Sequence, residues 1–193
     1  MPNDEIETIK LMLKGYEASL PKLNILIFGP GESNPDEYAK KCFRKRCEIK
    51  QFLKEKNHIA VLPEEAFEEA KRQGKEYPNI IHFEKYLLEQ CCDVAIFLYV
   101  PKCPGVDHEL SALTISPECT RKMLLLHATD REYDSAWSFS DKIDFIKGGN
   151  GRTETFCEDD VDRCHLRERI VRVVESIARF LSLHPYKKYE GVR

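Results

Sequence analysis

Glu109 stands in the stretch of this chain best arranged for chemistry, DVAIFLYVPKCPGVDHELSAL from Asp93 to Leu113. The apolar run Val94 to Val100 is too short for a membrane span. It suits a strand buried on both faces of a parallel sheet. Pro101 ends the run, Pro104 and Gly105 follow, and the spacing then predicts a helix with Glu109 in its first turns and Leu110 and Leu113 facing the core. A carboxylate just past the carboxyl end of a central strand, near a helix N-terminus, lies where open α/β sheets hold their ligands. The competing explanation is that Glu109 only complements the helix dipole.

A second candidate stretch is Gly29-Pro30-Gly31-Glu32-Ser33-Asn34. It follows a predicted strand, NILIF at 24–28, and precedes a predicted helix from about Pro35 to Lys56. Backbone amides in such a turn can receive an anion. The pattern is neither a dinucleotide fingerprint nor a triphosphate loop, and a tight turn served by glycine is the simpler alternative. In a parallel sheet this loop would lie beside the Glu109 loop. In the following helix Ala39, Phe43, Ile49, Phe52 and Leu53 form the expected core face, and Lys40, Lys41, Arg44, Lys45 and Arg46 read as a solvated face.

The remaining elements alternate. HIAVL at 58–62 is the second strand. Helices are expected over Glu64–Lys71 and Ile80–Gln90, the latter with Ile81, Tyr86, Leu87 and Leu88 inward, and the loop between them (73–79) could cover a site. KMLLLH at 122–127 is a fourth strand, and TETFC at 153–157 a short fifth. One last helix runs from a cap at Asp159 or Asp160 to Leu183, with Cys164, Ile170, Val173, Val174, Ile177 and Leu181 near one face. Residues 131–152, with the single Trp137, give no clear pattern. Strand–helix alternation of this kind predicts a three-layer Rossmann- or flavodoxin-like α/β sandwich on a parallel sheet of about five strands. Residues 23–184 are expected to form a single domain, 1–22 an N-terminal helix with an apolar stripe over 4–20, and 185–193 a tail.

A net charge of −3 spread over mixed signs argues against broad nucleic-acid binding. The start of the chain is polar, with no apolar signal core, and no run is long enough to cross a bilayer. The eight cysteines contain no C-x-x-C pair. We therefore expect reduced thiols in a cytoplasmic protein. Cys157, Cys164 and His165 are the one spacing that could hold zinc, and the pattern is weak, so no metal or cofactor is expected.

Taken together, NILIFGPGES, CDVAIFLYV and PGVDHELSALTI followed by KMLLLH resemble the nucleoside 2-deoxyribosyltransferase family, including its deoxynucleoside-monophosphate N-glycosidase branch. TIR-like domains, which can cleave NAD at its nicotinamide bond, are similar more distantly. The resemblance spans about Asn24 to Phe156. It implies that Glu109 is the nucleophile at the anomeric carbon, stabilising oxocarbenium character or forming a glycosyl-enzyme, with Asp93 or Asp107 orienting neighbouring groups. It also implies that Gly29, Pro30, Gly31, Glu32 and Ser33 hold a sugar or 5′-phosphate. Lys85, Cys103, Gly105 and His108 complete the expected substrate-binding set. The ligand would be a nucleoside, nucleotide or NAD, and the protein a homo-oligomer. Where the family has an aspartate that helps to handle the leaving base, this chain has Lys85, with Glu84 beside it. Cys103 and Asp107 depart from the family pattern as well. A cation at position 85 would attract phosphate, so a nucleotide-sensing module without catalysis is the alternative expectation.

Overall fold

A computed structural model describes residues 20–131 and 139–183, together with Glu7. In order, the elements are β1 (Asn24–Phe28), α1 (Glu37–Glu55), β2 (Ile59–Val61), α2 (Pro63–Arg72), α3 (Ile80–Gln90) and β3 (Val94–Tyr99). They continue with α4 (Pro104–Leu113), α5 (Pro117–Thr120), β4 (Met123–Ala128), α6 (Phe139–Gly148), β5 (Arg152–Phe156), α7 (Glu158–Asp162) and α8 (His165–Leu183). All five strands are parallel, in the order β2-β1-β3-β4-β5. Helix α1 packs against α7 and α8. On the other side α2 packs on α3, α3 on α4 and α5, and α5 on α6. The sandwich expected from the sequence is the one observed.

The centre of the sheet explains why β3 reads as an unbroken apolar run. Every residue of β3 is buried, because helices cover both faces. Ile25, Ile27, Val94, Ile96, Leu98, Leu124 and Leu126 are each exposed by 1 % or less. Phe28 and Phe97 are register partners on β1 and β3, and their rings stack 4.1 Å apart. The edge strands differ. β2 is only three residues long, and β5 is largely uncovered and carries the Arg152–Glu154 ion pair, features that discourage pairing with another edge.

Helix α1 starts where Asp36 caps it, its carboxylate accepting from the Ala39 N–H at 2.9 Å. Its inner face corrects the sequence reading. Ala39, Ile49 and Leu53 are buried as expected, but so are two members of the supposed solvated face, Lys45 (8 % exposed) and Arg46 (1 %). Ala39, Cys42, Arg46, Ile49 and Leu53 recur at spacings of three and four, so Arg46 occupies a core position on the helix. Helix α3 differs in the same way. Phe83, Glu84 and Leu88 are buried, whereas Tyr86 is 47 % exposed.

The expected last helix is two. α7 ends at Asp162, Arg163 adopts an extended conformation, and α8 begins at His165. Cys164 falls in this break and is exposed, not on the core face. Helix α6 lies in the stretch that showed no pattern. The stripe at 4–20, Trp137 and the tail at 185–193 fall outside the described residues, apart from Glu7 and Leu20. Among the described residues no helix is long and apolar enough to cross a membrane.

Candidate functional site

The strand order reverses between β1 and β3, and a crevice opens there at the carboxyl ends of the strands. It holds a cavity of about 790 Å³. The loop after β1 supplies one wall, the start of α4 after β3 another, and the start of α2 after β2 a third. Parallel strands bring these three segments together although they are far apart in sequence.

The β1 loop is shaped by packing. Gly29 has φ +151°, and a Cβ there would lie 2.8 Å from Arg46 Cδ and 3.0 Å from the Leu98 carbonyl oxygen, so glycine is required. The Asn34 N–H donates to the Gly31 carbonyl at 3.3 Å and closes the turn. The Asn34 side chain accepts from the Asp36 N–H at 3.0 Å and donates to Cys103 Sγ at 3.3 Å. Asn34 thereby ties the β1 loop to the β3 loop. Burial pushes the Cys103 thiol up to about 11, with the nearby Asp36 charge adding to it, so it stays protonated at neutral pH.

Arg46 reaches the loop from beneath. Nη1 donates to the carbonyls of Gly29 and Pro30, both at 2.8 Å, and Nη2 to that of Ile27 at 2.8 Å and to Glu64 at 3.0 Å. Glu64 sits in the first turn of α2, where a carboxylate also suits the helix dipole. Glu65 beside it pairs with Lys50.

Glu109 lines the cavity on the opposite side, partly buried. Burial raises its carboxyl to about 7, with the Glu64 charge adding to the rise and the Arg46 cation opposing it. Glu84, on α3, is fully buried, and neither carboxyl oxygen has a hydrogen-bond partner. Burial raises it to about 9, helped by the charges of Glu109 and Glu64 and opposed by Arg46. Glu109 therefore ionises first, and its charge helps to keep the proton on Glu84. Two carboxyl groups whose environments push their pKa values apart are a mark of acid–base sites.

Of the residues singled out from the sequence, Gly29, Pro30, Gly31, Glu32, Ser33, Cys103, Gly105 and Glu109 all line this cavity. Four do not. Asp93 opens β3 and so lies at the amino end of the sheet, a strand's length of about 20 Å from the cavity by the rise per residue. Its carboxylate accepts from the Asn24 N–H at 2.7 Å and joins β3 to β1, a structural task. Asp107 accepts from the Tyr99 hydroxyl at 3.0 Å and from the buried Lys142. Burial alone would raise its carboxyl, but Lys142 and Tyr99 outweigh that and hold it low. His108 is exposed and off the cavity wall. Lys85 is 52 % exposed in its side chain, pairs with Glu89 at 3.7 Å, and does not reach the cavity.

Sequence reasoning missed Arg46 and Glu64, which line the cavity, and gave no task to Glu84, whose buried carboxyl responds to the Glu109 charge. For Arg46 and Glu84 a signal existed, since each falls on the apolar stripe of its helix. All eight cysteines are free thiols, and among the described residues no cluster of three His, Cys, Asp or Glu side chains could hold a metal ion. No protein-family model matches the chain, and no curated protein matches it.

Proposed function

We propose that this chain cleaves the N-glycosidic bond of a nucleoside, a nucleotide or NAD, with Glu109 acting at the anomeric carbon. The observation that carries this reading is a partly buried glutamate that lines the same switch-point cavity as a glycine-containing loop. An environment that burial has made less polar strengthens the attraction between a carboxylate and developing positive charge on the sugar. In the reaction, the Glu109 carboxylate bonds to the anomeric carbon as the carbon–nitrogen bond breaks. The electron pair leaves with the base, which takes a proton from solvent unless it departs already neutral. Water or a second base then displaces Glu109 and restores the carboxylate.

The Gly29–Asn34 loop would hold the sugar or phosphate through backbone N–H groups, because the terminal nitrogens of Arg46 are already engaged by carbonyls and Glu64. The alternative, a nucleotide-sensing module without chemistry, drew its support from Lys85 as a phosphate-binding cation. That support falls away with Lys85 outside the cavity. Free thiols throughout suit a reducing cytoplasm, and a homo-oligomer follows from the family resemblance.

The test is to incubate the protein with deoxynucleosides, deoxynucleoside monophosphates and NAD and to measure free base. Glu109→Gln keeps the shape and removes the charge, and should lower release at least about a hundredfold, as loss of a principal electrostatic stabiliser does. Equal release by the variant would remove Glu109 from the mechanism. Tight nucleotide binding with no base released from any compound would establish the sensor instead.

A further inference from the structure

We infer that Arg46 and Glu64 are a positioning pair for this site: Arg46 pins the turn that forms one wall of the cavity and holds Glu64 as a second carboxylate toward Glu109. This rests on the cavity being the working site. It assigns tasks to two residues that the resemblance to the transferase family leaves without one.

A guanidinium buried in a core is costly unless its donors are satisfied. Here both terminal nitrogens are used in full, two hydrogen bonds each, while Nε is buried without a partner, and three of the four acceptors are main-chain carbonyls at the end of β1. With the Gly29 and Pro30 carbonyls drawn inward to Arg46, the turn is held in one conformation ahead of any ligand. Such preorganisation lowers the ordering cost of binding. Gly29 completes the fit, since any side chain there would strike Arg46 Cδ. The fourth acceptor, Glu64, has a half-exposed side chain and lines the cavity.

The charged and titratable groups around Glu109 come from each element that forms the crevice. They are Arg46 from α1, Glu64 and Glu65 from α2, Glu84 from α3, Glu32 from the β1 loop and the Cys103 thiol, which stays protonated, from the β3 loop. Glu65 is matched by Lys50 and Glu84 keeps its proton; Arg46 and Glu64 are the charges that act on Glu109, in opposite senses.

Two measurements decide this without relying on turnover. Side-chain carboxyl carbons can be titrated by NMR in wild type and in Glu64→Gln. Removing the Glu64 charge, with Arg46 then free to act on Glu109 alone, should lower the Glu109 midpoint by at least about half a unit. Amide exchange can be followed in wild type and in Arg46→Lys. A lysine keeps the charge but cannot span three carbonyls and a carboxylate with a planar fork. Exchange of the Asn34 amide, whose hydrogen bond to the Gly31 carbonyl closes the turn, should therefore quicken by about tenfold or more, with β3 amides, which report global opening, as the internal control. An unmoved Glu109 midpoint overturns the pair, and so does loop exchange that keeps its wild-type ratio to that of β3. If both shifts appear but no base is released from any substrate, the pair stands and the glycosidase reading fails.

Discussion

Glu84→Gln should make the fold more stable at neutral and alkaline pH and leave it nearly unchanged near pH 4.5. Glu84 is fully buried with both oxygens unpartnered, and its carboxyl is raised from 4.5 to about 9. Below the unfolded value both states hold the proton and burial of the neutral acid costs no ionisation energy. As pH rises, the unfolded chain loses that proton while the folded chain keeps it. The folded state then binds more protons, and stability falls by about 1.4 kcal/mol per pH unit until the folded value is reached. Between pH 5 and pH 8 the loss amounts to about 4 kcal/mol, an upper value because water penetration relaxes buried groups. Glutamine is neutral throughout and of the same shape, and its buried amide is about as poorly satisfied as the neutral acid. The pH-dependent part alone is therefore removed. Urea unfolding of both proteins at pH 5 and pH 8 reads it directly. The advantage of the variant should grow by about 2 to 4 kcal/mol between the two conditions. A stability difference that stays within 1 kcal/mol across that range would refute a proton held on Glu84.

Three further outcomes follow from the same geometry. Because Glu109 must lose its proton to act as a carboxylate, and its value is raised to about 7, kcat/KM for base release should climb with pH through that value and level off above it; a flat profile from pH 5 to 9 would contradict the assignment. Lys85→Asp should leave the relative binding of a nucleoside and its monophosphate unchanged and alter stability by less than about 1 kcal/mol, since the side chain is about half exposed and makes a long 3.7 Å pair with Glu89 away from the cavity; calorimetric titration with both ligands checks it. Gly29→Ala should destabilise the fold by about 1 to 3 kcal/mol, because it combines an unfavourable φ of +151° with a contact at 2.8 Å to Arg46 Cδ; thermal unfolding measures the loss.

The sequence made the sheet legible because buried parallel strands are apolar throughout, and β1, β3 and β4 were therefore found within a residue of their ends. The cavity walls were legible for a related reason. Proline and glycine interrupt the chain just after β1 and β3, where a parallel sheet opens its crevice. Helix α6 stayed hidden because only Lys142 and Ile146 of its ten residues are buried, too few to print a stripe. Asp93, which the resemblance proposed as an orienting group, stands at the amino end of β3 instead. A strand has two ends, and only the carboxyl end meets the ligand in this architecture.

The misses at Arg46 and Glu84 have one cause. Arg46 was assigned to solvent by its type and Glu84 was given no place, although the spacing put each on the buried face of its helix. Helix periodicity fixes where a side chain points whether or not that side chain is apolar. A charge that falls on the stripe must then find partners or change its protonation. Arg46, which holds its charge at any working pH, took the first course with three carbonyls and Glu64. Glu84 took the second and keeps its proton. Both lie on helices beside the switch-point crevice; Arg46 lowers the Glu109 carboxyl, and the Glu109 charge in turn helps to keep the proton on Glu84. A fold under pressure for stability alone would replace such residues by leucine or methionine of similar volume. Their presence together beside the one cavity-lining carboxylate raised to about 7 is the arrangement that the role proposed for Glu109 calls for.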